Sequence, residues 1–325
     1  MADFEKTNPE VENEDELFRF IDNDVISSEK IIAPRYSYWK SVFRVFFRKK
    51  INIFLIAIFL LMILVAFVMP IFWPYNMFEN VSTAASYNLS PAKAPAFFKD
   101  NSLKYVLGSG AMGNSIFYGV ISSSKTSLTL AVICAAINMV IGIIIGAIWG
   151  YSKKFDAVML VIYNIIANVP YILLISVLVY IIGAGFWPFV FALTVTGWLG
   201  IAYFFRTQVM IIRDREYSLA SRCLGTPIPR VISKNILPFL TSVIVTILAT
   251  ELPSYISFEV FLSYIGVGLS ASIPSLGRMI QQGQSAFTQY PWEFWPPVAV
   301  AAGITIILYL LGQNLADATD PRTHM

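Results

Sequence analysis

Long intervals without charge, separated by short polar and basic stretches, organise this chain. A hydrocarbon core ~30 Å thick is crossed by about 20 apolar residues in a helix, so the lengths of those intervals are the primary signal. Lys50 and Glu79 bracket INIFLIAIFLLMILVAFVMPIFW, and Lys125 and Lys153 bracket a second run that contains INMVIGIIIGAIWG. Residues 157–205 carry no charge at all, a length that fits two spans, and GAGFWP at 183–188 supplies the turn between them. A fifth run covers about residues 236–264 and a sixth about 294–316. Backbone polar groups in lipid must be satisfied within the segment. The pattern therefore predicts an all-α polytopic membrane protein with six transmembrane helices.

Composition agrees. Of 325 residues, 57% are hydrophobic and 13% charged, the latter about half the share of an ordinary soluble domain. The first 30 residues hold ten acids against three bases, the reverse of a secretory signal, and predict a peripheral tail with too little apolar material for a core. The expected organisation is an acidic cytoplasmic tail over 1–45 and a six-span domain over 46–325. Outside loops fall at about 73–124 and 265–293, and a cytoplasmic loop at about 213–235. With the N-terminus inside, 18 of the 23 Lys and Arg residues fall on cytoplasmic segments and five outside. The positive-inside rule then places both termini in the cytoplasm.

Little material for catalysis exists. No G-x-x-x-x-G-K-[ST] phosphate cradle occurs, the one histidine is His324 beside the C-terminal residue, and the two cysteines, Cys134 and Cys223, offer neither a disulfide framework nor a metal cluster. The expectation is a chain that is not an enzyme and holds no metal or cofactor. The basic residues form no stripe interleaved with exposed aromatics, so nucleic acid is not an expected partner.

The polar interval EYSLASRCLGTPIPRVISKNILP, residues 216–238, stands out between two apolar runs. Helix-forming residues with Ala220 and Ser221 at their centre precede Gly225, which can take the positive φ that ends a helix, and Pro227 follows as a stop. This predicts a helix, a sharp turn and a second short helix before the membrane resumes at Ile236. Small residues on an exposed helix let another protein approach closely; by spacing alone an ordinary basic connecting loop is equally compatible.

The order Glu216-Tyr217-x-x-Ala220-Ser221-Arg222-x-Leu224-Gly225, continued to Leu237-Pro238, resembles the EAA loop of bacterial ABC importer permeases in its peptide-importer form, with Leu219 and Asn235 departing from the general pattern. FEVFLSYIGVGL, IPSLGRMI and the ending GQNLADATDPR are similar to segments of the C-type permease of oligopeptide and dipeptide importers. The acidic leader and PSLG look most like the streptococcal and lactococcal oligopeptide permeases. VLGSGAMGNSIF departs from the L-G-T-D-x-x-G-R-D of many relatives. The resemblance covers roughly residues 51–322. It implies a type I ABC importer permease fold in the bacterial cell membrane, forming half of an oligopeptide path. The implied partners are a second homologous permease, two cytoplasmic ABC ATPases that bind ATP and Mg, an extracellular peptide-binding lipoprotein and the peptide itself. By the same resemblance Glu216, Ala220, Ser221, Gly225, Leu237 and Pro238 form the ATPase-coupling loop. The alternative is a self-sufficient six-span secondary transporter or channel, in which this segment is a plain loop.

Two acids inside the fifth run, Glu251 and Glu259, should not face lipid, where an ionised group costs at least ~2.5 kcal/mol at the bilayer centre. Glu259 is expected either as a cap or pair for the outer loop or on the translocation path. Glu251, next to the bend expected at Pro253, is a candidate to attract a peptide amino terminus. Gly142 and Gly146 form a G-x-x-x-G whose expected role is helix packing.

Overall fold

The computed structural model describes residues 37–99, 103–270 and 272–320. The acidic leader, Arg322 and His324 lie outside the described residues. The chain divides into two units after Ser41, and every membrane-length helix belongs to the second. Among the described residues there is no strand, only one isolated bridge, Ser109 to Ser115, inside VLGSGAMGNSIF.

Helix α1 (Tyr38–Arg48) begins inside the stretch expected as tail, because aromatic residues alternate there with Lys40, Arg44 and Arg48 at helical spacing. α2 (Lys50–Phe72) is the first span. α3 (Ile116–Tyr151) is the second, and its 36 residues begin nine before Lys125, the expected boundary. At ~1.5 Å per residue it is far longer than the hydrocarbon core, so its ends extend beyond it. Lys125 lies within it, with Nζ 5.9 Å from the Phe67 ring centroid on α2.

The third run is not a single straight helix. α4 (Lys153–Ala167) and α5 (Tyr171–Ile182) meet at 80°. Pro170 is the reason: it cannot donate to the preceding turn, and it drives the residue before it out of the helical region. Five helices pass for membrane spans by themselves, and the bent pair makes six. α5 ends at Gly183, where φ is +105°, and α6 (Phe186–Thr194) and α7 (Trp198–Arg213) form the fourth span, interrupted at residues 195–197. A short helix, α8 (Glu216–Cys223), follows. The fifth span enters through one turn at Ile228–Arg230, a π-helical Val231–Ile236 and a 3-10 Leu237–Leu240 before α9 (Thr241–Tyr264). α10 (Leu276–Gln284) lies in the connection between α9 and the last span, α11 (Pro291–Thr319).

The most extensive pairing is α3 with α7, followed by α9 with α11. Small residues explain the first. Gly142, Gly146 and Gly150 repeat at every fourth position of α3 and face Ile201, Ala202, Phe205, Arg206 and Val209 of α7 so closely that no side chain would fit. Close backbone approach is the main source of helix association in lipid, where burial of apolar surface gains little. The lower end of the pair is pinned by polar contacts. Arg206 on α7 forms an ion pair with Asp156 on α4, with Nη2 to Oδ2 at 2.9 Å, and stacks over Trp149, whose Nε1 donates to Asp156 at 2.7 Å. A separate core joins α3, α5, α6, α9, α10 and α11 around Leu130, Ile175, Phe189, Ile256 and Leu276.

Candidate functional site

Residues 216–238 fold as the sequence predicts, and the tertiary structure adds their mounting. α7 ends at Arg213, a nearly buried side chain whose Nη1 donates to the carbonyl of Gly150 on α3 at 2.7 Å. The loop therefore leaves the membrane from the rigid α3–α7 pair. α8 carries Glu216 in its first turn and Arg222 in its last, each favourable to the helix dipole. Its end is a Schellman turn: Gly225 N–H donates to Arg222 O at 2.9 Å and Thr226 N–H to Ser221 O at 3.1 Å. Gly225 has φ +76°, as that turn requires.

Glu216, Ala220, Gly225 and Pro238 are exposed, Ser221 and Leu237 half-buried. Tyr217, Leu219, Leu224 and Ile228 are exposed as well, Leu224 by 87%. These apolar side chains lie uncovered on an otherwise polar loop. Asn235, at the position where the family pattern has isoleucine, donates from Nδ2 to Ser221 Oγ at 2.6 Å. That bond ties α8 to the π-helical entry of the fifth span. Tyr217 packs on Phe239 with ring centroids 5.1 Å apart. Beneath, Val231 and Ile236 are fully buried against Ile201, Phe205 and Val209. The loop thus touches the fourth span through Arg213 and the fifth through Asn235 and Phe239. The pairing of Asn235 with Ser221, fourteen residues apart, had no signal in the linear pattern beyond the departure at Asn235.

Glu259 is completely enclosed. Ser127 Oγ on α3 donates to its Oε2 at 2.7 Å and Ser263 Oγ to its Oε1 at 3.0 Å, while the Ser275 hydroxyl and the Gly277 N–H reach the same carboxylate. Those last two groups are the start of α10, so Glu259 caps that helix from a neighbouring one. The carboxylate has no exposed surface in this chain. Glu251 is half-buried, with the Tyr255 hydroxyl in hydrogen-bond reach. Tyr255 accepts from Asn138 Nδ2 at 2.6 Å, and the Tyr171 hydroxyl donates to Leu193 O at 2.9 Å, close to the interruption in the fourth span.

The structure also presents a polar face. Ser242, Thr246, Thr250, Ser254 and Ser257 repeat at three- and four-residue spacing along one side of α9 and are exposed or half-buried. Their lower members line a cavity of about 700 Å³ with Gln313, Asp317 and Lys49. The upper ones line another of about 550 Å³ with Tyr309. Thr246, Ser254 and Ser257 donate back to carbonyls one turn earlier, at 2.9, 2.7 and 3.1 Å, which leaves their lone pairs free to accept. The spacing of the hydroxyl residues is visible in the sequence, and Glu251 lies beside this stripe.

Comparison with known proteins fits this geometry. Residues 138–325 match the family described as binding-protein-dependent transport system inner membrane component. Residues 37–91 match the N-terminal TM domain of oligopeptide transport permease C. The chain is 44% identical to the oligopeptide transport system permease protein AmiD of Streptococcus pneumoniae, over 95% of this chain and 98% of that one. It is 30% identical to the oligopeptide permease OppC of Bacillus subtilis, over 91% and 93%, and 30% to the dipeptide permease DppC of Lactococcus lactis, over 91% and 94%. A helical chain with spans enough to cross the bilayer six times, a small-residue loop mounted on its fourth and fifth spans and matches over residues 37–91 and 138–325 belongs to the family of inner-membrane permeases of binding-protein-dependent transport systems.

Proposed function

We propose that this chain is one permease subunit of an ATP-driven oligopeptide importer, coupled to its energy source through α8. The observation that carries the reading is the exposed apolar surface of Tyr217, Leu219, Leu224 and Ile228 around Ala220, on a loop anchored to two spans at once. A cytoplasmic ATPase seated on that surface would move the fourth span through Arg213 and the fifth through Asn235. The irregular Val231–Ile236 and Leu237–Leu240 are where α9 can turn relative to the α3–α7 pair, since π and 3-10 turns hold fewer well-formed bonds than an α-helix. ATP binding in one polypeptide then biases an inward–outward equilibrium in another. A second, homologous permease would close the path against the hydroxyl face of α9, and an extracellular binding protein would deliver the peptide. ATP and Mg belong to the partners, and this chain performs no hydrolysis itself. Uncharged hydroxyls suit a path that accepts many peptide sequences, because they bond to the peptide backbone. Glu251, beside that face, would meet a peptide amino terminus.

Gly225→Val tests the coupling role. A β-branched residue at φ +76° is strained by more than ~1 kcal/mol, while no atom lies within 4 Å of the added Cβ, so the chain itself has room for it. The expected result is normal insertion and abundance with peptide uptake reduced at least tenfold, and with the partner ATPases either lost on purification or hydrolysing without transport. Uptake at the wild-type rate would reduce residues 216–238 to a connector.

The proposed orientation, both termini cytoplasmic, is tested by cysteine labelling in a background lacking Cys134 and Cys223. Ser82→Cys, exposed in the first outer connection, should react with an impermeant thiol reagent on intact cells, and Lys154→Cys, exposed at the start of α4, should react only after permeabilisation. The opposite pattern would invert the topology and place α8 outside, away from any ATPase.

A further inference from the structure

A third cavity, of about 260 Å³, lies between the two outer connections. Tyr75, Asn76, Met77 and Phe78 form one wall, and Ser272, Ile273, Pro274, Arg278, Met279 and Gln282 the other. Its volume falls just below the ~300–1,000 Å³ of a site for a whole small molecule, so it suits one end of a larger one. No acid lines it. Arg278 in its wall makes a hydrogen bond from Nη1 to Gln281 at 2.6 Å, but its Nε is buried without a partner and, among the described residues, it forms no ion pair. The contrast is Lys104 in the first outer connection, which is paired with Glu79. Arg278 is half-buried, and a guanidinium nitrogen shielded from water and left unpaired is costly; a planar oxyanion recovers that cost by hydrogen bonding to the fork.

The opposite wall carries a donor. Tyr75 accepts from Asn114 Nδ2 at 2.9 Å, which leaves its own O–H to donate. Burial pushes its phenol up to about 12, so it stays a proton donor rather than an anion that would repel the ligand. Ser272, Asn76 and Gln282 add neutral polar groups around the same space.

We propose that this cavity is a carboxylate subsite at the outer mouth, in which Arg278 and Tyr75 receive the C-terminal carboxylate of an incoming peptide. The inference rests on the peptide-import reading and deepens it. A peptide's other end, an ammonium group, finds no acid here, so the subsite holds the carboxyl end at the mouth and leaves the amino end to lead toward Glu251.

The test uses the complete transporter reconstituted with its partners, and compares one peptide as the free acid with the same peptide carrying a C-terminal amide. Arg278→Gln should lower uptake of the free acid at least fivefold and leave the amide within twofold of wild type, so that the acid-to-amide ratio collapses whatever preference the binding protein imposes. Arg278→Lys, which keeps the charge without the fork, should restore part of that ratio, and Tyr75→Phe should lower it in the same direction as Arg278→Gln. An unchanged ratio in Arg278→Gln overturns the proposal. So does an equal loss of both peptides, or loss of the second permease on purification, since either means that Arg278 serves assembly. Failure of the peptide-import reading is separately visible: the wild-type transporter would then take up neither peptide.

Discussion

Gly146→Leu is expected to prevent accumulation of folded chain in the membrane, while Gly200→Leu is tolerated. A Cβ at Gly146 would stand 2.5 Å from the carbonyl oxygen of Ala202 and 2.6 Å from the Cβ of Phe205, closer than real contacts come, and the first obstacle is backbone that no rotamer change can move. Overpacking of a core typically costs ~1–3 kcal/mol when side chains can adjust. Here α3 and α7 would have to separate as bodies, which releases the neighbouring contacts at Gly142 and Gly150 along with it. Arg213, bonded to Gly150 O, would lose its anchor, and the mounting of α8 would go with it. Gly200 lies on the same α7, one residue from Ile201, with nothing within 4 Å of the added Cβ. Helix propensity even favours the change there. Membrane abundance and the melting of each variant in mild detergent measure the difference. A Gly146→Leu chain that melts with wild type would mean that α3 and α7 are not packed through these glycines.

The second large effect is expected at Glu259. Replacing it by leucine keeps the bulk but leaves the hydroxyls of Ser127, Ser263 and Ser275 and the N–H of Gly277 facing an apolar side chain. Each buried donor left without a partner costs about 1–3 kcal/mol, so the loss amounts to several kcal/mol, concentrated at the start of α10. Glu259→Gln keeps one acceptor oxygen and the shape, and should cost much less. The sign is fixed by the donors: four residues, on α3, on α9 and at the start of α10, are oriented to give hydrogen bonds, and only an acceptor satisfies them. Proteolysis from the outer side should cut the connection between α9 and α11 in Glu259→Leu well before it cuts in wild type, with Glu259→Gln between them. Equal resistance in all three would show that the carboxylate does not hold α10.

The spans themselves were legible because lipid imposes a simple demand: twenty residues without charge, closed on their own hydrogen bonds, leave one solution. Residues 50–72 and the fifth and sixth runs were predicted to within a few residues, apart from the π and 3-10 turns that precede α9. The small-residue turn at Gly225 was equally readable, since a positive φ before a proline is a local property. Where the prediction was less complete, non-local packing is the cause. Lys125 was read as a boundary, yet α3 continues past it to Ile116 because the long side chain reaches out over Phe67. The third run has the length of a span but breaks at Pro170 and folds at 80°, a geometry that depends on what α4 and α5 pack against.

What the sequence by itself determined is a six-span membrane chain with a loop of small residues at 216–238, since hydropathy and turn chemistry act over a few residues and are written consecutively; the permease family was legible only as a resemblance of motifs. Only the tertiary structure decided which polar groups meet. Glu251 and Glu259 are eight residues apart on one helix and look alike in sequence. One is sealed under α10 by serines from three elements and the other stands beside the hydroxyl face of α9. Asn235 and Ser221, or Arg213 and Gly150, are partners only because separate helices are brought to one end of the α3–α7 pair. Hydrogen bonds reach about 3 Å, so their pairing follows the packing of helices, and that packing is set by the contacts of all of them together.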